Sequence, residues 1–173
     1  EIQDFGDDTI FKILTKKKCN KLYYFKKVIQ TLLQIQSIKT RSIKNFKKKI
    51  FQIPRYEEVI LIKEANLFCD WYVKKSLSKN DRVKFIKKFK KIIKELSSSL
   101  KLKNNIFVHR DFHVSNLMLV KNQIGVIDSQ DTLIGNRAYD LASLIDDVRI
   151  KTPKSLKNKI YKFYINKNSK LDK

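Results

Sequence analysis

Ile106-Phe-Val-His-Arg-Asp-Phe-His-Val-Ser-Asn-Leu-Met-Leu-Val120, then Lys121-Asn-Gln123, then Ile124-Gly-Val-Ile-Asp-Ser-Gln-Asp131 is the stretch whose reading decides the fold. Leu117–Val120 and Ile124–Ile127 are short apolar runs separated by three turn-type residues, a pattern that predicts a β-hairpin. If Val120 pairs with Ile124, Asn116 falls opposite Asp128 at the open end. Directly opposed residues hold their Cβ atoms about 5 Å apart, a gap that one Mg²⁺ with oxygen ligands at about 2.1 Å can bridge from an amide oxygen to a carboxylate. Asp111 stands five residues before Asn116, in the connecting loop, close enough to offer its carboxylate to an acceptor hydroxyl. Both histidines of the chain, His109 and His113, flank it. A base, an amide ligand and a carboxylate ligand on the next strand make the layout of a phosphoryl-transfer site.

The charge pattern around this stretch agrees. Residues 109 to 147 carry six aspartates (Asp111, Asp128, Asp131, Asp140, Asp146, Asp147) against Arg110, Lys121 and Arg137, whereas the whole chain has a net charge of +22. An acidic island suits a divalent cation that meets phosphates better than it suits phosphates themselves. The basic excess would fit nucleic acid or an anionic membrane surface, but 33 lysines, 22 isoleucines and 12 asparagines form a joint bias that AT-rich codon usage gives without selection for binding. Neither a nucleic acid nor a membrane is therefore an expected partner.

At 173 residues with 42% apolar content, the chain is long enough for one domain with a packed core. Gly6, Gly125 and Gly135 are too scattered for a phosphate-cradling loop. Cys19 and Cys69 lack metal-site spacing. No apolar run reaches the roughly 18 residues of a membrane span, and no signal peptide opens the chain, so a cytoplasmic protein is expected. The start at Glu1, without methionine, suggests a chain that begins inside a longer protein.

Elsewhere the apolar spacing is helical. Lys21 to Gln36 presents Leu22, Phe25, Ile29, Leu32 and Leu33 on one face. Residues 37 to 50 read as a loop and a short helix through Ile43, Phe46 and Ile50, ended by Pro54. A helix from Tyr56 to Val73 has Ile60, Leu67 and Trp71 on one stripe, with Glu64 among them either paired at the edge or facing a site. Asp81 is the expected N-cap of a helix to Leu96 that turns Val83, Ile86, Phe89, Ile93 and Leu96 inward. Ser97 to Asn105 reads as a connection. Leu141, Leu144, Ile145 and Val148 predict a buried helix, and Leu156, Ile160 and Phe163 a last amphipathic one.

His109-Arg110-Asp111 through Asn116, with Ile127-Asp128 beyond the hairpin, resembles the catalytic loop and metal-binding hairpin of the protein-kinase-like fold, particularly the aminoglycoside phosphotransferase and choline kinase family. Within it, Asp111 to Met118, Asp128 to Asp131 and Tyr139 to Leu141 resemble bacterial kinases that phosphorylate the anomeric hydroxyl of N-acetylmuramate and N-acetylglucosamine. Pro54 to Glu57, Glu64, and Asp70-Trp71-Tyr72 look like that subgroup too, and Gln3 to Asp7 is similar to its segment after the hinge. Ser129 stands where the subgroup usually has an aromatic residue and Asn136 where it often has proline.

The resemblance implies an α+β, mainly helical fold: the C-terminal lobe alone, with a short metal-binding β-hairpin. Residues 1–105 would be the helical part after the hinge, 106–150 the catalytic loop, hairpin and supporting helix, and 151–173 a truncated C-terminal helix. It implies Asp111 as catalytic base, Asn116 and Asp128 as metal ligands, His109 and Asp140 as supports of the catalytic loop, and Arg110, His113, Asp131, Glu64 and Asp70 as acceptor-binding candidates. ATP and Mg²⁺ are the implied cofactors, a small molecule, foremost an amino sugar, the acceptor, and an N-terminal lobe of the same polypeptide the missing partner. The 173-residue chain alone is expected to be inactive. The alternatives are an aminoglycoside or other small-alcohol kinase and, outside enzymes, a basic RNA-binding or scaffold remnant of a kinase fold.

Overall fold

A computed structural model describes residues 4–99 and 103–168. Gln3, residues 100–102 of the predicted connection and the last five residues of the chain lie outside the described residues. In chain order the elements begin with α1 (Ile10–Leu14), α2 (Lys21–Gln36), β1 (Ser42–Lys44) and β2 (Ile50–Gln52). Next come α3 (Glu58–Phe68), a π-helical turn (Cys69–Val73), α4 (Lys74–Ser76) and α5 (Lys79–Ser99). The chain then forms β3 (Asn104–Val108), β4 (Leu117–Val120), β5 (Gln123–Val126), β6 (Leu133–Asn136), α6 (Ala138–Ile145) and α7 (Lys154–Asn168). Among the described residues three two-stranded sheets pair β1 with β2, β3 with β6 and β4 with β5. By packing, the chain divides into two units, Glu1–Pro54 with Asn105–Lys173, and Arg55–Asn104. The three consecutive segments expected from sequence are a division by role and cut across these units.

In the first unit, α2 has the bounds its apolar spacing predicts. Asn20 caps it, its side chain accepting from the Tyr23 N–H at 3.1 Å. Phe25, Val28, Ile29 and Leu32 are fully buried with Ile10, Leu14, Phe112, Leu117, Leu144, Ile145 and Ile160 in one core. At the far end Gln36 is buried, and its amide is used on both sides. Nε2 donates to the Arg137 carbonyl at 2.9 Å, and Oε1 accepts from Tyr164 Oη of α7 at 2.7 Å. Burial without those partners would cost a few kcal/mol.

Residues 42–52 correct the predicted short helix: they are a hairpin. Asn45 Oδ1 accepts from the N–H groups of Lys47 and Lys49, each at 3.0 Å, and Lys48 takes a left-handed φ of 60°. Such local side-chain bonds offer the backbone an alternative to helix. The helix-like spacing of Ile43, Phe46 and Ile50 therefore places no apolar face; all three are exposed. At the other end of this unit α6 stops at Ile145, and Val148, predicted to be buried, is 95% exposed. The reason is Asp147, which turns inward as a buried hydrogen-bond acceptor and throws its neighbour outward.

In the second unit α3 and α5 pack together, yet neither contains a fully buried residue. The predicted stripe of Ile60, Leu67 and Trp71 is broken by the π-helical turn, whose wider winding shifts the inward face to Cys69 and Val73. Leu67 and Trp71 are left 49% and 67% exposed. α5 begins two residues before the predicted cap. Ser78 precedes it, and Ser78 Oγ accepts from the Asp81 N–H at 3.3 Å while donating to Asp81 Oδ2 at 2.6 Å, so Asp81 sits at the third helical position. Val83 and Leu96, predicted to face inward, are exposed; Ile86, Phe89 and Ile93 alone form a half-buried stripe. Among the described residues no helix is long and apolar enough to cross a membrane.

Candidate active site

β3 carries the chain into the loop at residues 109–116. Phe112 and Val114 of that loop are fully buried, while Asp111 and His113 are half-buried. The loop is folded on itself: the Asp111 carbonyl accepts from the His113 N–H at 3.0 Å and from Asn116 Nδ2 at 3.2 Å, and the Asn116 N–H donates to the His113 carbonyl at 2.9 Å. Buried carboxylates hold it from beneath. Asp140, fully buried on α6, accepts from the His109 N–H at 2.8 Å and the Arg110 N–H at 3.0 Å. Asp147, just beyond the same helix, accepts from the Val114 N–H at 3.2 Å and pairs with Arg149 at 3.1 Å. Arg110 is in left-handed conformation, with φ 76°.

Burial pushes the Asp140 carboxyl up to about 6; the two N–H donors oppose that shift and the Asp111 charge adds to it. Burial also holds the His109 imidazole below the usual histidine range, against the pull of Asp111 and of the Ile127 backbone. His109 is therefore mostly neutral at pH 7, its ring edge-on to Phe112 with centroids 6.1 Å apart.

The hairpin forms, with a register one residue away from the predicted one. The pairs are Leu117↔Val126, Met118↔Gly125, Leu119↔Ile124 and Val120↔Gln123. Its turn has two residues, Lys121 and Asn122, with φ 45° and 68°, the double left-handed turn whose twist matches the strands. Lys27 of α2 holds that turn, its Nζ donating to the Asn122 carbonyl at 2.7 Å and to Oδ1 at 2.9 Å. Asn116 consequently faces Ile127, whose N–H donates to the Asn116 carbonyl at 3.1 Å. Strand alternation would then send Asp128 to the other face, but Asp128 leaves the strand with φ 67° and swings back, so Asn116 Nδ2 lies 3.5 Å from Asp128 Oδ2. The two side chains thus meet by a different route from the one their spacing implies. On the opposite strand edge Gly125 admits Phe5, whose ring would lie 2.9 Å from a Cβ at that position.

Gln130 Nε2 donates to Asp128 Oδ1 at 2.5 Å. Asp131 is exposed in the connection to β6, and His113 and Arg110 lie on the loop itself. Glu64 and Asp70 belong to the second unit, where Glu64 accepts a hydrogen bond from Tyr56 Oη and Asp70 is exposed in the π-helical turn. Sequence reasoning missed Asp147 and Gln130. Asp147 could have been suspected as a second acid in a Leu-Ile-Asp-Asp run ending an apolar helix; Gln130 stands inside the Asp128 to Asp131 stretch that carries the resemblance, which gave it no role of its own.

Among the described residues no three His, Cys, Asp or Glu side chains converge on one point. The donors that do converge are an amide and a carboxylate, an all-oxygen pair once the Asn116 amide turns its oxygen outward. That set fits Mg²⁺, which binds through one or two carboxylates, keeps several waters and takes further ligands from substrate phosphates.

Residues 20–166 match the model of the phosphotransferase enzyme family. The N-acetylmuramate/N-acetylglucosamine kinase of Neisseria meningitidis serogroup B is 37% identical over 99 residues, which cover 57% of this chain and 30% of that protein. The kinase of the same name from Pseudomonas aeruginosa is 29% identical over 152 residues, 88% of this chain and 42% of the relative. The chain thus spans less than half the length of these relatives. Among solved structures, ADP-bound aminoglycoside phosphotransferase APH(2'')-Ib superposes with a TM-score of 0.63 at 20% identity, over 99% of this chain and 56% of that one. That likeness shows the fold, mixed helix and sheet of the kinase-like kind.

Proposed function

The chain belongs to the phosphotransferase enzyme family, and from that premise we propose that it supplies the acceptor-activating half of an ATP-dependent kinase acting on an amino-sugar hydroxyl. One observation carries the reading: Asn116 stands between the Asp111 carbonyl at 3.2 Å and the Asp128 carboxylate at 3.5 Å. The loop that bears the base and the hairpin that bears the acid are therefore fixed to each other. Asn116 and Asp128 would hold Mg²⁺, which when bound neutralises charge on the transferring phosphoryl group. The Asp111 carboxylate aligns the acceptor hydroxyl and takes its proton as the new O–P bond forms and the bond from the γ-phosphorus to the β–γ bridging oxygen breaks, releasing ADP. In a loose transition state most of the rate comes from positioning. Here the positioning falls to the groups that fix the loop, the buried Asp140 and Asp147.

The amino-sugar acceptor is supported by the names of the curated relatives at 37% and 29% identity. The aminoglycoside alternative rests on structural likeness at 20%. The partner on this reading is a lobe with the glycine-rich loop and lysine that hold the nucleotide phosphates, and the 173-residue chain by itself does not turn over. The test uses the intact polypeptide that carries this chain, with ATP, Mg²⁺ and either N-acetylmuramate, N-acetylglucosamine or an aminoglycoside. Phosphorylation of the sugars, lost in Asp111→Asn while ATP binding and melting temperature hold, is the expected result. Transfer to aminoglycosides alone favours the alternative, and transfer to none of the three overturns the proposal.

A further inference from the structure

Between Asp8 and Glu57 the chain has no acidic residue and 14 lysines and arginines. By proportion about five of the 17 acids would fall there. Codon bias toward A and T explains lysine, but it does not remove aspartate and glutamate, whose codons are also permissive. Near the end of this run stands the β1–β2 hairpin. Its base is tied down: the Ile53 N–H donates to the Arg41 carbonyl at 2.9 Å, Arg41 Nη2 to the Asn105 carbonyl at 2.8 Å, and the Ile134 N–H to the Pro54 carbonyl at 2.8 Å. Its outer part is not covered. Ile43 pairs with Phe51 on one face and Lys44 with Ile50 on the other, and Phe46 sits at the tip.

These apolar residues are exposed on both faces: Ile43 54%, Phe51 58%, Ile50 63% and Phe46 90%. A two-stranded hairpin with neither face packed is marginal in water, so its shape comes from the Asn45 turn and the tied base. Lys44 and the run Lys47-Lys48-Lys49 lie among those apolar residues in the sequence, and Lys47 Nζ lies 5.5 Å from the Phe46 ring centre.

We propose that the β1–β2 hairpin is a docking element for an anionic bilayer surface, with Phe46 and its apolar neighbours entering the headgroup boundary and the four lysines meeting lipid phosphates. Charge complementarity selects the occupant, since each lysine near an anionic leaflet contributes about 1 kcal/mol. The mixed apolar set favours a membrane over RNA: Phe46 and Phe51 could stack on bases, but Ile43 and Ile50 gain nothing from stacking, whereas all four gain from leaving water at a lipid interface. Lysine, a point charge on a flexible stem, suits scattered headgroups. This is peripheral attachment, independent of the phosphotransfer reading, and it runs against the sequence expectation that no membrane takes part, which the test below decides.

The test is co-sedimentation of the 173-residue chain with vesicles of phosphatidylcholine alone and of phosphatidylcholine mixed with phosphatidylglycerol. Binding to the anionic vesicles only is expected. Phe46→Ser should weaken it about tenfold, and Lys47→Gln with Lys48→Gln and Lys49→Gln together about a hundredfold, with far-UV circular dichroism unchanged in both. Phe46→Trp placed in a Trp71→Phe chain adds a direct reading, a blue-shifted emission on anionic vesicles. Equal binding to both vesicles, binding to neither, or anionic binding indifferent to Phe46→Ser overturns the proposal. A Phe46-dependent complex with single-stranded RNA that outcompetes the vesicles overturns it in favour of nucleic acid.

Discussion

The two packing units of this chain are built on different terms. The first fills a core with residues of 0–1% exposure drawn from α1, α2, the 109–116 loop, α6 and α7, and its buried carboxylates, Asp140 and Asp147, hold the loop that bears Asp111. The second has two long helices without one fully buried residue, a π-helical turn that faces Trp71 and Tyr72 to solvent, and a cap built from Ser78 and Asp81. The difference separates where the molecule stores stability from where it can vary. The residues proposed for phosphoryl transfer, which would need atoms held to fractions of an ångström, sit on the packed unit, and the loosely buried unit can change its surface at little cost in stability.

The sharpest way to break this comparison is through turnover, on the proposed phosphotransfer reading, of the intact polypeptide that carries this chain. Asp128→Asn and Asp111→Asn should each lower kcat by about a hundredfold or more, and Asp128→Asn should exceed Asn116→Ala, since a carboxylate gives the cation charge and an amide only a dipole. Steady-state kinetics with a melting curve on each variant is the measurement. Wild-type Mg²⁺ dependence in Asp128→Asn would remove the metal assignment.

Next in size is packing. Leu144→Ala, at a fully buried site on α6, should cost about 3 kcal/mol, whereas Leu96→Ala on α5, half exposed, should cost under about 0.5 kcal/mol. Urea denaturation of both compares the units directly, and equal losses would erase the distinction.

A comparable effect should appear on changing pH. Asp140 has its folded pKa raised from 3.8 to about 6, so between those values the folded state binds the extra proton. Stability contributed by this group is therefore highest below pH 4 and falls as pH rises to 6, by at most about 3 kcal/mol. Asp140→Asn, neutral throughout, should lack that slope in a pH series of melts. Smaller than the Leu144→Ala and Asp140 effects is Ser78→Ala, about 1 kcal/mol from the lost cap, visible as faster amide exchange in the first turn of α5 alone.

Legibility in the sequence followed the same division. α2 was readable from its spacing because Phe25, Ile29 and Leu32 of the expected stripe enter the core, with Leu22 and Leu33 packed partly against it. Asp111, Asn116 and Asp128 were readable as a set from spacing, yet the register between them was not, because it turned on two left-handed residues, Lys121 and Asn122, neither of them glycine. In the second unit the apolar period misled: a π-helical turn shifts the face by one residue, which no pattern of hydrophobicity announces, and Val83 and Leu96 keep the helical period without burying anything. The β1–β2 hairpin failed for the related reason that its apolar residues are not core residues, so their spacing carried no information about secondary structure.

Arg110 has a consequence of its own. A non-glycine residue with φ 76° is held against a steric cost of about 1 kcal/mol, and the two peptide N–H groups clasped by Asp140 enforce it. Glycine at this position would relax the backbone at the expense of a more flexible unfolded chain, so the substitution Arg110→Gly weighs the guanidinium against the bend. A variant that gains thermal stability while losing phosphoryl transfer would mean that the fold and the reaction make opposite demands on one residue, and that this chain answers to the reaction.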